Sequence, residues 1–111
     1  MTINGSDIRM IRGDTEKLVV TCQFSDGTER PFEEGDTVTL TVAWPLGETV
    51  LQKTETSFQD GAAVILLSHA DTNELIPAEY DYDVQLTAKD GTVTTIIPPA
   101  RFVLEGDVTR D

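Results

Sequence analysis

Cysteine is almost missing from this sequence: Cys22 stands alone among 111 residues, so no intramolecular disulfide can staple the fold. Histidine and tryptophan also occur once each, as His69 and Trp44. With no second His and no Cys near it, His69 offers no zinc ligand set. Basic residues are scarce, 8 Lys and Arg against 20 Asp and Glu, for a net charge of −12. Such a chain repels phosphate, and no basic stripe compensates, so neither nucleic acid nor an anionic membrane surface is an expected partner. Long apolar runs are absent too. The longest, Ala62 to Leu67, falls far short of the ~20 residues that span a bilayer. The opening MTINGSD lacks the basic start and apolar stretch of a secretory signal, which predicts a cytoplasmic chain unless it is assembled into something that leaves.

What is present is alternation. Leu18, Val20, Cys22 and Phe24 are apolar at every second position, and Val38, Leu40, Val42 and Trp44 repeat the pattern against Thr37, Thr39 and Thr41. Tyr80, Tyr82, Val84, Leu86 and Ala88 repeat it again against Asp81, Asp83, Gln85 and Thr87. One apolar face per segment is what half-buried antiparallel strands require, whereas a helix would need spacings of three and four. A domain of this size buries about two-thirds of its unfolded surface, enough for one core without staples.

Turn chemistry agrees with strands. Asp26-Gly27, Asp60-Gly61 and Asp90-Gly91 supply the positive φ angles of tight hairpins. They predict hairpins joining residues 17–24 to 28–32, 55–59 to 62–68, and 80–88 to 92–97. Glu33 to Asp36 then turns the chain into a strand over 37–43. Pro98-Pro99 removes two backbone donors and predicts a break or an edge before residues 100–104. Residues 9–12 are expected to add a first edge strand. Ser68-His69-Ala70-Asp71 has the spacing of a capping box, so one helical turn is expected on the crossing toward Tyr80, with Pro77 ending it. Tyr80 and Tyr82, at the start of a late strand, suit a tyrosine corner reaching back to the backbone of residues 71–75. The reading is an all-β, immunoglobulin-like antiparallel β-sandwich of seven to nine strands with one short helical turn. It forms a single domain over residues 8–106, with loose segments at 1–7 and 107–111.

Candidate chemistry is thin. His69 sits at the first position of the predicted turn and reads as a solvent-facing residue. Cys22 shares its phase with Leu18 and Val20, so it reads as a buried small hydrophobe rather than a nucleophile. Asp81 and Asp83 share a strand face, and Glu33, Glu34 and Asp36 share a loop, but neither set has the spacing of a calcium loop. Arg12-Gly13-Asp14 spells an integrin-type triplet and reads first as a turn. Asn4-Gly5-Ser6 matches a glycosylation sequon without the secretory context that would use it. Trp44-Pro45 closes a strand, and the phase of Trp44 points it into the core. No phosphate-binding glycine loop and no Ser-His-Asp set occurs. No enzyme activity, cofactor, metal or catalytic residue is expected, and no partner-binding residue is assigned. The surplus of acid reads first as solubility, and otherwise as a match for a basic partner.

Several stretches resemble a known family. Residues 10–15, Met-Ile-Arg-Gly-Asp-Thr, followed by Leu18-Val19-Val20, are similar to the opening of a domain common in phage and prophage tail proteins. Residues 32–38, residues 80–86, and above all the closing run from Asp90 to Pro99 continue the likeness. The family is the N-terminal immunoglobulin-like domain of phage baseplate upper proteins, and the resemblance covers residues 8–109. It implies a β-sandwich that anchors into a virion tail or baseplate by protein–protein contact, with other tail proteins or further copies of itself as partners. The motifs are strand and turn residues, so no functional site carries over. Family members often continue into a receptor-binding or oligomerising region where this chain stops, which favours assembly as the expected role. The alternative is a module that recognises host glycan or protein through its loop ends.

Overall fold

Period-two alternation becomes eight strands and one helical turn in the computed structural model, which describes residues 2–4 and 7–109. The strands are β1 (Thr2–Asn4), β2 (Asp7–Ile11), β3 (Glu16–Val20), β4 (Thr37–Ala43), β5 (Thr49–Glu55), β6 (Ala63–Leu67), β7 (Ala78–Thr87) and β8 (Val93–Glu105). Helix α1 (His69–Thr72) lies between β6 and β7. One sheet has six strands in the order β1-β2-β8-β7-β4-β5, and the other pairs β3 with β6. This is a β-sandwich of immunoglobulin-like type. Its core comes from the alternating faces: Val38, Leu40 and Val42 on β4 and Tyr80, Tyr82, Val84 and Leu86 on β7 bury with Leu18, Val20, Ala63, Ile65 and Leu67 from the small sheet. Burying one such aliphatic side chain contributes about 1.5–3 kcal/mol.

One pairing departs from the expected antiparallel order. Strand β2 runs parallel to β8, with Ile8 beside Phe102 and Ile11 beside Glu105. Parallel neighbours need a long crossover, and here nearly the whole domain is that crossover. Strand β1 pairs antiparallel on the other side of β2, so β2 is not the edge that residues 9–12 were expected to form. The supposedly loose segment 1–7 thus contains β1 and the first residue of β2.

Two predicted hairpins change. Residues 55–59 and 62–68 do not pair as strands, because β5 belongs to the six-stranded sheet and β6 to the other. Only Gln59 and Ala62 bond across Asp60-Gly61, a tight turn in which both central residues have positive φ, 52° and 78°. The hairpin that does form joins β4 to β5 through Trp44-Pro45-Leu46-Gly47. Its turn carries no Asp-Gly signal, which is why the alternation pattern missed it. Likewise the 17–24 to 28–32 hairpin shrinks to a small loop with one bridge, Gln23 to Glu29. Strand β3 ends at Val20, so the inward phase lapses: Cys22 is half-buried and Phe24 is 57% exposed.

Strand β8 passes through Pro98-Pro99 without breaking. Tyr82 pairs with Ala100 and Val84 with Ile97, so Asp83 alone faces the two prolines. That two-against-one register is a β-bulge, which accommodates residues lacking N–H groups by re-aiming the strand. The 80–97 hairpin is otherwise as its turn predicts, with Ala88 N–H donating to Thr92 O and Gly91 N–H to Ala88 O, both 2.8 Å.

The helical turn sits where expected. Asp71 accepts from the Ser68 N–H at 2.8 Å, closing the capping box. The Tyr80 hydroxyl donates to the Ile76 carbonyl at 2.5 Å, one residue beyond the predicted stretch. This is a tyrosine corner, tying the crossing to the start of β7.

Candidate functional site

The Arg12-Gly13-Asp14 triplet is held down as a structural corner. Arg12 Nε donates to Asp107 at 2.8 Å, and both side chains are largely covered. Gly13 takes φ +85°, its N–H donates to the buried Thr72 hydroxyl at 2.8 Å, and Asp14 N–H closes the turn on Ile11 O. His69 is exposed as expected, and its Nδ1 lies 2.7 Å from the Gly13 carbonyl. An integrin-type loop presents its Arg freely; here that Arg is locked to the segment after β8. Asp107 was expected in a loose tail, and Arg12 anchors it. Gly5 and Ser6 of the sequon, like residues 110–111, lie outside the described residues.

The acidic loop divides. Asp36 is only 1% exposed and accepts from both guanidinium nitrogens of Arg30, at 2.7 and 3.4 Å, and from the Glu33 N–H at 3.0 Å. The hydrogen bond from Arg30 holds its carboxyl below the usual aspartate range against the opposing pull of burial. Glu33 and Glu34 point to solvent. Asp71 is a second embedded carboxylate. Burial works against its charge, but the Ser68 N–H and the Lys53 ammonium, 3.0 Å away, overcome it and keep its pKa low. Among the described residues, no three His, Cys, Asp or Glu side chains gather where a metal could sit.

A different depression brings together residues of β4, β7, β8 and the turn after β4. On the outer face of the six-stranded sheet, Thr41 and Ala43 of β4 stand beside Asp83 and Asp81 of β7. With Trp44, Leu46, Gly47, Tyr82 and Pro99 they line a shallow groove of about 370 Å³ whose surface is mainly apolar. The Trp44 ring packs on Tyr80 with centroids 4.5 Å apart, as its phase predicted, and so fixes the hairpin over the groove. Leu46 is fully exposed at φ +53°, a left-handed conformation that leucine seldom adopts. Proline before it, and Gly47 N–H bonding back to Trp44 O at 2.8 Å, give the pattern of a type II turn with leucine where glycine is usual. Sequence reading named Asp81, Asp83 and Trp44 separately and missed Leu46 and Pro99. The left-handed leucine was detectable in principle from Pro-Leu-Gly, but the bulge that carries Pro99 was not.

More apolar side chains collect at this end of the sandwich. The β2, β4 and β8 strands finish here and β7 begins, as the pairs Ile11–Glu105, Ala78–Leu104 and Ala43–Asp81 show. Ile11, Leu46, Ile76 and Val108 are all exposed around that end. Two open stretches of strand, by contrast, are guarded. Lys53 turns inward from the edge strand β5 to reach Asp71, and Pro98-Pro99 with its bulge interrupts the open side of β8. Inward charges, prolines and bulges are common devices against strand addition.

No family model matches this chain, and no curated protein matches it. No helix among the described residues is long and apolar enough to cross a membrane. Among solved structures, the chain is similar to CopC from Methylosinus trichosporium OB3b, with a TM-score of 0.51 and 13% identity over 93% of this chain and 87% of that one. At that identity the likeness bears on architecture alone, and by architecture the chain is a β-sandwich.

Proposed function

We propose that this domain is a non-enzymatic structural or adaptor module of a phage or prophage tail or baseplate, acting through protein–protein contacts. The observation that carries the binding part is the loop end of the sandwich. Four large apolar side chains, Ile11, Leu46, Ile76 and Val108, stand in water there, and one of them holds an unfavourable backbone conformation. Four of the eight large apolar side chains exposed among the described residues stand at this end, the others being Val19, Phe24, Leu66 and Val93, and such a concentration favours a docking role over solubility alone. The virion setting rests on the resemblance of the strand and turn sequences, above all residues 90–99. The charge turned inward from β5 and the prolines of β8 disfavour strand addition at those two places, which leaves this end and the adjoining face for contact there.

The test is co-expression with the tail proteins encoded in adjacent reading frames, followed by size-exclusion chromatography with light scattering. A complex of fixed stoichiometry is expected. A chain that remains monomeric beside those proteins, yet is retained on host cell wall, would replace this reading with host-surface recognition.

A further inference from the structure

We infer that the groove between the Trp44–Gly47 turn and β7 docks an extended segment of a partner protein bearing two basic residues at positions i and i+2. This deepens the adaptor reading and rests on it. The apolar part of the groove is Leu46, fully exposed, with exposed Pro99 and half-buried Ala43 beside it. The polar part is a matched spacing. Asp81 and Asp83 project from the same face of β7, so their side chains stand about 6.8 Å apart, the two-residue repeat of any extended strand. A segment lying along β7 with Lys or Arg at alternate positions therefore meets both carboxylates in register, its aliphatic stems resting on the apolar lining.

Charge selects the occupant. The chain's own cations are largely committed: Arg9 to Glu105, Arg12 to Asp107, Arg30 to Asp36, Lys53 to Asp71 and Arg101 to Glu79. Arg101 is the telling case. It lies directly across from Asp81 in the β7–β8 register, yet its guanidinium turns to Glu79. Asp81 and Asp83 are thereby left without a bonded side-chain cation among the described residues, in a molecule already at −12. A second copy of the same chain would bring carboxylates against carboxylates, and a glycan would leave the pair without a countercharge. A basic, partly apolar segment satisfies both.

The experiment is a titration of the ¹⁵N-labelled protein at low salt with two capped peptides, Ac-Thr-Lys-Val-Lys-Thr-NH2 and Ac-Thr-Val-Lys-Lys-Thr-NH2, which share composition but not spacing. The expected result is shift changes confined to the amides of residues 41–44, 46–47, 81–83 and 97, with the alternating peptide binding at least 5-fold more tightly. The Asp81→Asn, Asp83→Asn double variant and, separately, Leu46→Gly should each weaken it by a similar factor. These positions are on the surface, and an unchanged amide spectrum elsewhere verifies the fold. Shifts scattered over the acidic surface, equal binding of the two peptides, or concentration-dependent dimerisation through the groove would each overturn the inference. If the Asn double variant still assembles with tail proteins while the peptides fail, the docking chemistry is wrong and the adaptor reading survives. Loss of assembly by the unaltered chain sinks the adaptor reading itself.

Discussion

At the scale of single residues, Leu46 and Asp36 show opposite uses of an awkward choice. Leucine at φ +53° carries a penalty of about 1–2 kcal/mol, and with its side chain in water it recovers nothing from the core. Glycine would remove that strain while losing about 0.5–1 kcal/mol of chain entropy. Leu46→Gly should therefore leave stability unchanged or raise it by about 0.5 kcal/mol, read as an unchanged or higher midpoint in urea. A fall of 1 kcal/mol or more would mean that the side chain packs in the fold and is not held for a partner. Asp36 is the reverse, a charge put inside to brace a loop. Asp36→Asn strips Arg30 of its countercharge, and because that guanidinium is still partly wetted the expected loss is about 2 kcal/mol. Its pKa is depressed in the fold, so its stabilisation is complete above the unfolded value of about 3.8 and disappears as pH falls through the lower folded value. The Asn variant should accordingly lose stability less steeply than the parent below pH 4, which acid titration followed by circular dichroism would check.

At the scale of elements, the legible strands were those whose inward positions are all apolar. Strands β4 and β7 alternate cleanly because each lies inside the sheet with one face on the core. Strand β5 was missed, with a strand expected over 55–59 instead, since Lys53, an inward position, carries a charge whose partner Asp71 is distant in sequence. The bulge at Asp83 was also unreadable, because two adjacent prolines signal a break equally well as a register shift. For the same reason the groove could not be seen beforehand: it combines a turn after β4, a face of β7 and the bulged part of β8. The crossing from β6 to β7 was legible in outline, through its capping box and tyrosine. Its strength can be measured there. Tyr80→Phe keeps the ring contact with Trp44 and deletes the hydrogen bond to Ile76 O, so it should lose about 1–1.5 kcal/mol with an unchanged dependence on denaturant. No loss would mean that the crossing is fixed by packing alone and the tyrosine corner is incidental.

At the scale of the whole molecule, charge works at two ranges that salt can separate. The attractive contacts are short: Arg12–Asp107, Arg30–Asp36 and Lys53–Asp71 lie between 2.7 and 3.0 Å and are at least partly shielded from water. The exposed pairs Arg9–Glu105 and Arg101–Glu79 contribute at most about 1 kcal/mol each. The repulsion is long, arising from surplus carboxylates spread over a body with a radius of gyration of 14.4 Å. The screening length is about 10 Å at 0.1 M salt and about 3 Å at 1 M. Moderate salt therefore removes most of the repulsion across the molecule while leaving the contact pairs largely intact. At pH 7 the melting temperature should rise as sodium chloride increases from about 10 mM to 500 mM, a range in which net self-repulsion is progressively screened. Scanning fluorimetry across that range decides it. A falling melting temperature would show that the contact pairs outweigh the surplus charge, and the image of a domain whose cations are largely spent and whose acids await a partner would lose its physical basis.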